Sequence, residues 1–364
     1  MRTHSYFTKK PSIQLLGFFI GENIMKQGRS LEQIASVVID NERNKRDFIC
    51  DTRKLNMSEG GLEVQDIGGF ALTDVAHGQI AQRVGIPQRY YDRMRSDAPH
   101  LLTDNVNHWF EANPEPRLLR TLNGRARAFL SNRYRILDHY NLLNAILPKL
   151  QDTGCDFVSM EVTDRKLYLK CLFPRIEREV SVGDLVQAGL VISNSEVGLG
   201  SVKVEPLIYR LVCENGLIAP DGGLSKYHLG RAMNNDEHAL EIYREETIKQ
   251  TDTAFFMQVA DVVESLLKPE AFDGLVNRLR DAKERRITDI PETVEVTRKQ
   301  LSLSDDERDG VLTALVEGGN PSIYGLINAV TGMSQQVADY DRATELEKGA
   351  WGLLEMSHGS SMLN

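Results

Sequence analysis

The middle third of the chain alternates hydrophobic and polar residues in short runs separated by turn residues. Such alternation is typical of β-strands that bury one face. A helix is predicted from Asp138 to Gln151, with its leucines and isoleucines on or near one face. The predicted strands flank Asn123-Gly124 and then occupy Cys155–Val162, Lys166–Phe173, Leu185–Ser193 and Ser201–Cys213. The predicted order is two strands, a helix and two further strand pairs, all with short connections. This order predicts an antiparallel sheet.

Hydrophobic residues at helical spacing dominate both ends of the chain. Residues 30–48 begin with Ser30 at an N-cap position, and further helices are predicted over 73–85, 87–99 and 101–111. A polar linker with Arg53 and Lys54 follows the first helix. From Asn235 onward the pattern is helical to the end.

These elements predict an α+β fold, in which an antiparallel sheet has helices on one side and is followed by a mostly helical C-terminal region. The expected division is an N-terminal extension over residues 1–24, an α+β core domain over 25–232 and a helical region over 233–364. Met25 is the expected natural start, because the apolar segment Ile13–Ile20 is short and is interrupted by Gln14.

Composition narrows the class of protein. Hydrophobic residues make up 41% of the 364 residues and charged residues 26%, as in an ordinary protein with a buried core. The net charge of -9 is localised, since residues 236–317 hold 20 acidic and 11 basic residues, a difference of -9. The chain has no apolar run of about 18 residues, so no membrane span is expected. Its four cysteines are widely spaced, which favours a reducing cytoplasm.

Positive charge is concentrated in one predicted hairpin. Residues 117–135 contain six arginines and no acidic residue. Asn123-Gly124 favours a two-residue turn, which would place Leu122 opposite Arg125, Arg120 opposite Arg127 and Leu118 opposite Phe129. Arg120, Arg125 and Arg127 would then share one face with Phe129. Opposed arginines repel each other, so we expect an anion between them.

We interpret that anion as a nucleic-acid backbone. Arginines interleaved with aromatic residues suit single-stranded DNA or RNA, because guanidinium groups bind phosphates and rings stack on bases. The alternative is a sheet face whose arginines pair with carboxylates from elsewhere in the chain. The predicted binding residues are Arg120, Arg125, Arg127, Arg133, Tyr134, Arg135, Tyr168 and Lys170.

Motifs for catalysis and for cofactors are weak. Ser195 and Glu196 lie in a polar loop without the surroundings of a serine nucleophile, and Cys213 has no histidine at an informative spacing. No phosphate-binding loop or HExxH motif occurs, so no catalytic residue, metal or cofactor is predicted. One alternative hypothesis is a metal-dependent enzyme acting on nucleic acid through Glu196, Asp138 or Cys213. Another is a non-catalytic interaction or anti-defence module.

Several segments resemble one known family. They are MKQGRSLEQIA with KRDFICDTRKL (Met25–Leu55), LSNRYRILDHYNLL (Leu130–Leu143), the segment Gly183–Leu217 with its NSEVG and RLVCENG blocks, and NPSIYGLINAVTG (Asn320–Gly332). These segments resemble the family named domain of unknown function 932, whose members look to be carried by phages and plasmids. The resemblance implies a role in a mobile element and supplies no catalytic residues.

The predicted arrangement is also similar, at the level of fold alone, to phage single-strand annealing proteins of the Erf and beta type, which assemble into rings. The sequence therefore predicts a cytoplasmic, homo-oligomeric protein of a mobile element. It would bind or anneal single-stranded nucleic acid.

Overall fold

A computed structural model describes residues 28–220, 245–266 and 268–356. The predicted fold class is confirmed, since β-sheet packed against helices is followed by a mostly helical C-terminal region. The strands form two sheets, one of six strands and one of five. The predicted extension over residues 1–24 and the predicted boundary near residue 233 lie outside the described residues.

The six-stranded sheet comes first in the chain. Its spatial order is β1-β5-β6-β4-β3-β2, and every neighbouring pair is antiparallel except β4 and β6. Helices α2, α3 and α4 pack on one face of this sheet, around Tyr91, Phe110 and Phe129. The strands are β1 (Lys45–Asp51), β2 (Leu55–Ser58), β3 (Gly61–Val64), β4 (Gly68–Leu72), β5 (Pro116–Leu122) and β6 (Arg125–Ser131). The first four helices are α1 (Leu31–Asn44), α2 (Asp74–Val84), α3 (Gln88–Asp97) and α4 (Pro99–Ala112).

Strands β1 to β4 correct the sequence analysis, which expected a helix over residues 30–48 and then a polar linker. Helix α1 has the expected cap, because the Ser30 side chain accepts from the Gln33 amide and Gln33 bonds back to the Ser30 amide. The helix ends at Asn44, however, and β1 follows at once. The edge strand β2 is closed by Asn107 of α4, whose amide group bonds to both N–H and C=O of Met57.

The second sheet is antiparallel throughout, in the order β11-β10-β9-β8-β7. Its elements are α5 (His139–Thr153), β7 (Asp156–Val162), β8 (Leu167–Ser181), β9 (Asp184–Asn194), β10 (Lys203–Arg210) and β11 (Asn215–Ile218). The two predicted strand pairs that follow α5 are thus confirmed. Helices α1 and α5 bury Ile34, Leu143 and Leu147 against Leu169 and Ile192 of one sheet face.

The C-terminal helices complete the core of the second sheet. They are α6 (Glu245–Leu266), α7 (Pro269–Glu284), α8 (Ile290–Leu301), α9 (Asp305–Glu317), α10 (Ile323–Ser334) and α11 (Tyr340–Gly349). Val259 of α6 joins the core beneath α1 and α5. A second cluster joins α7 to α11 with Val186 and Ile208 of the sheet, and Trp351 is buried within it. Each large apolar side chain buried in this way contributes about 1.5–3 kcal/mol, so the helical region is a permanent part of the fold.

Helix α11 covers the other face of the second sheet through polar contacts. The Lys170 Nζ atom is 2.5 Å from Glu347 Oε2, and the two side chains are 1% and 0% exposed. Burial alone would lower the pKa of Lys170, but Glu347 outweighs burial and raises it. The Tyr168 hydroxyl donates to Asp341 Oδ1 at 2.7 Å. Lys170 and Tyr168 were predicted as an added cation and a stacking ring, and this prediction is wrong because α11 buries both.

We expect Lys170→Met to lower the free energy of unfolding by about 3–5 kcal/mol, because it leaves the buried Glu347 carboxylate without its cation. The double variant with Glu347→Leu should recover most of that loss, since it removes the uncompensated charge. Urea unfolding of the three proteins measures both effects. A double variant no more stable than Lys170→Met would contradict this account of α11 docking.

Candidate nucleic-acid interface

The arginine-rich hairpin forms where the sequence predicts it. Asn123 and Gly124 adopt φ of 51° and 76°, so both turn residues lie in the left-handed region that a tight hairpin turn requires. Leu122 lies opposite Arg125, as expected. The turn and the first pair of the register are therefore correct.

A β-bulge at Arg127 changes the register after the next pair, Thr121 with Ala126. Beyond it, Arg120 lies opposite Ala128 and Leu119 opposite Phe129. The predicted pairing of Arg120 with Arg127 is therefore wrong, as is that of Leu118 with Phe129. One extra residue on a strand sends every later side chain to the opposite face, so Phe129 joins the core beneath α2 to α4.

Arg120 is fully buried and belongs to an ion cluster. Its Nε and Nη2 atoms donate to the two carboxylate oxygens of Asp47, at 3.1 and 3.0 Å. Nη2 also donates to Asp138 Oδ1 at 2.6 Å, and Nη1 donates to the Glu196 carbonyl at 2.8 Å. The side chain is 0% exposed. The prediction that Arg120 holds a phosphate is wrong, because two carboxylates of the chain neutralise it.

Asp138 receives a second cation from β1. Lys45 Nζ bonds to Asp138 Oδ2 and also lies 2.6 Å from Glu42 Oε2. Burial would raise the pKa of the Asp138 carboxyl, but Arg120 and Lys45 outweigh burial and hold it well below its usual range. Asp138 is therefore ionised and structural, which argues against its suggested role in catalysis.

The polar loop after β9 bridges the two sheets. Glu196 Oε2 accepts from Arg127 Nη1 at 2.6 Å, and Oε1 accepts from the His139 amide at 2.6 Å. The Ser195 hydroxyl donates to the Arg165 carbonyl at 2.8 Å. Gln79 of α2 donates to the Val197 carbonyl at 2.7 Å. Both carboxylate oxygens of Glu196 are thus occupied by bonds that hold the loop. The prediction that Arg127 binds a phosphate is wrong, because its guanidinium group already pairs with Glu196.

The remaining predicted residues lie in different surroundings. The Tyr134 hydroxyl donates to the Ser195 carbonyl at 3.1 Å, so this half-buried ring helps to hold the loop. The Arg135 guanidinium lies 5.4 Å from the centre of the Phe255 ring on α6. Arg133 is exposed just after β6. The structure therefore does not gather the eight predicted residues into one surface.

Arg125 differs from the buried arginines. It is exposed at the start of β6 and makes no ion pair with any residue that the structure describes. Its neighbour across the parallel β4–β6 pair is Ala71, also exposed. The Ala71 Cα atom is next to Gly61 of β3, 3.0 Å from the position that a Cβ on Gly61 would take. The β4 neighbour of Arg125 is therefore small, and its β5 neighbour is Leu122.

We call this surface the open face. It is the side of β2, β3, β4 and the start of β6 that carries five exposed residues, Asn56, Glu63, Gly69, Ala71 and Arg125. Asn56 pairs with Glu63 across β2 and β3, and Glu63 pairs with Gly69 across β3 and β4. α2 to α4 cover only the opposite side of these strands.

A groove of about 580 Å³ lies at the end of the open face where β2 begins. We call it the β2–β4 groove. It is lined by residues 53–56 and 63–69. Asp66 adopts a left-handed φ of 66° in the loop between β3 and β4, and the next residue, Ile67, is 43% exposed.

Sequence analysis missed the groove because it interpreted residues 49–72 as a linker. A signal was present: Leu55, Met57, Leu62 and Val64 alternate with polar residues and are all buried in the structure. Asp47 was also missed as a partner of Arg120, since 73 residues separate the two.

The described residues give little support for metal binding or for catalysis by Cys213. Among them, no group of three or more histidine, cysteine or acidic side chains is placed to hold a metal ion. Cys213 is exposed, and its Sγ atom is 2.8 Å from Arg210 Nη1. Within the described residues, no helix has the length and apolar character needed to cross a membrane.

A family model described as Domain of unknown function (DUF932) matches residues 128–351. The chain belongs to this family. The match begins within β6 and includes Asp138, Glu196, the whole second sheet and the ion pair of Lys170 with Glu347. The open face precedes it, since even Arg125 lies before residue 128. Searches of curated proteins and of solved structures found no match.

The DUF932 chain offers a matched pair of arginine substitutions. Arg120→Ala should lower the free energy of unfolding by about 3–5 kcal/mol, because Asp47 and Asp138 lose their shared cation. Arg125→Ala should change it by at most about 0.5 kcal/mol, as expected for an exposed side chain without a partner. Thermal and urea unfolding of both variants measures the difference, and equal losses would contradict the assigned roles.

Proposed function

We propose that this protein binds single-stranded nucleic acid through the open face, with Arg125 as the principal phosphate contact. The observation that carries the proposal is the environment of Arg125. It is an exposed guanidinium that makes no ion pair with a described residue, although, after Arg95, it helps to lower the pKa of the Asp74 carboxyl. Its neighbour on β4 is the small residue Ala71. A guanidinium group matches the geometry of a phosphate and binds it through two hydrogen bonds.

The shape of the open face suits one extended strand. Neighbouring strands lie about 4.8 Å apart, so the distance from β6 across β4 and β3 to β2 is about 14 Å. Arg125 lies at one side of this surface, and Arg53 and Lys54 border the groove at the other. A nucleic-acid strand that crosses the sheet in this direction would meet a cation at each side, with Ala71, Gly69 and the exposed Glu63 between them.

The small number of cations limits the expected affinity. Arg125, Lys54 and Arg53 give at most three phosphate contacts, and Arg53 also pairs with Asp51. Three contacts correspond to a salt dependence with a logarithmic slope of about -2 for a single strand. The proposal is therefore a modest, salt-sensitive interaction that would gain strength from several linked copies.

We also propose a biological role, an oligomeric state and a cellular location for the protein. Resemblance to phage- and plasmid-carried proteins supports a role in a mobile element, including strand annealing. Self-association into a homo-oligomer would supply the several copies, and Val296 and Val316 are exposed apolar residues of α8 and α9 that are able to contribute to such contacts. A cytoplasmic location is supported by four free cysteines, three of them buried.

We expect Arg125→Glu to weaken binding of labelled single-stranded DNA or RNA at low salt by about tenfold, which corresponds to about 1.4 kcal/mol. The physical reason is the loss of a phosphate contact and the gain of a repelling carboxylate. Fluorescence anisotropy measures the affinity, with unlabelled duplex as a competitor.

Arg93→Glu is the control for this experiment. It makes the same charge change on α3. The Arg93 side chain is 76% exposed, and its Nε atom lies 3.7 Å from Asp97 Oδ2. It should bind like the unmodified protein. Absence of binding by the unmodified protein, or equal losses in both variants, would refute the proposed function.

A further inference from the structure

We infer that the β2–β4 groove holds one unpaired nucleobase of the bound strand. The inference rests on the proposed function and deepens it, because it names the part of the nucleic acid that enters this groove. A volume of about 580 Å³ lies within the range of about 300–1,000 Å³ usual for small-molecule sites.

The chemistry of the lining favours a base over a phosphate. The groove presents amide groups from Asn56 and Gln65, carboxylates from Glu63 and Asp66, and the cationic groups of Lys54 and Arg53. Carboxylates repel a phosphate, but they accept hydrogen bonds from the amino groups of bases. Amide side chains both donate and accept, as base edges require. The mixed set therefore matches a base edge better than it matches a backbone.

The walls also leave room for the flat face of a base. A Cβ atom added at Gly68 would meet nothing within 4 Å, and one added at Gly69 would meet only Glu63 Cγ, at 3.8 Å. Ile67 provides an exposed apolar side chain beside this space. A base that enters the groove can thus pack against aliphatic carbon while its edge contacts polar groups.

The distance to Arg125 fits a nucleotide whose base occupies the groove. Gly69 lies two residues before Ala71, and Ala71 is paired with Arg125. One strand spacing and two residues along β4 give a Cα–Cα distance between Gly69 and Arg125 of about 8 Å. An arginine side chain is long enough to cover much of that distance. The open face then contacts the phosphate and the groove contacts the base, and a paired base in a duplex would be excluded.

Gly69→Val tests the groove without straining the backbone. The φ of Gly69 is not in the left-handed region, and its Cβ position is free of close contacts. The added methyl groups would fill part of the groove. Gly60→Val is the matched control, because Gly60 lies outside the groove in the turn between β2 and β3, also without a left-handed φ. Thermal unfolding checks that both variants are folded.

The experiment compares a normal single-stranded oligonucleotide with one of equal length in which the bases are removed from the sugar–phosphate backbone. The unmodified protein should bind the abasic strand about tenfold more weakly, as expected for the loss of a packed base. Gly69→Val should bind both strands equally, at the affinity of the unmodified protein for the abasic strand. Gly60→Val should keep the preference for bases.

The possible failures are distinguishable. If the unmodified protein binds neither strand, the proposed function fails. If it binds both strands equally well, the proposed function stands and the base site is refuted. If Gly69→Val weakens both strands by the same factor, the groove contacts the backbone and the inference is also overturned.

Discussion

The buried guanidinium group of Arg120 links the six-stranded sheet to the start of α5 and to the loop after β9. Its carboxylate partners come from β1 and from the residue that precedes α5, and it also bonds to the carbonyl of Glu196 in the loop that follows β9. A buried charge is tolerated only where opposite charges and hydrogen bonds compensate its desolvation. The relative positions of β1, β5, α5 and the loop are therefore constrained together. The contacts of Lys45 and Arg127 extend the same cluster.

A second buried ion pair also compensates its own desolvation, on the face of the second sheet that α11 covers. Lys170 and Glu347 hold α11 against the strands, and Tyr168 with Asp341 adds a polar contact beside them. In both places a cation in the strands meets a carboxylate supplied from a distant part of the chain. Asp47, Asp138, Glu196 and Glu347 thus neutralise arginine and lysine side chains inside the fold. The exposed cation Arg125, which makes no ion pair with a described residue, becomes significant for that reason.

Sequence reasoning predicted local features well and long-range pairing poorly. The Asn123-Gly124 turn, the strands after α5 and the helical C-terminal region depend on periodicity and turn chemistry, which are local. The amino-acid composition does not indicate the bulge at Arg127, but the bulge places Phe129 on the face opposite to the predicted one. Asp47, one partner of Arg120, lies 73 residues away in sequence, and Glu347, the partner of Lys170, lies 177 residues away. An arginine-rich strand therefore could not be classified as open or neutralised before the tertiary contacts were known.

The most direct test of this account is the reactivity of individual arginines toward phenylglyoxal in the folded protein, followed by mass spectrometry. Arg125 should be modified rapidly, because its guanidinium group is exposed and unpaired among the described residues. Arg120 and Arg127 should stay protected until the protein is unfolded, since their side chains are 0% and 11% exposed and pair with carboxylates. Modification of Arg120 and Arg127 at the rate of Arg125 in the folded state would contradict the internal ion cluster.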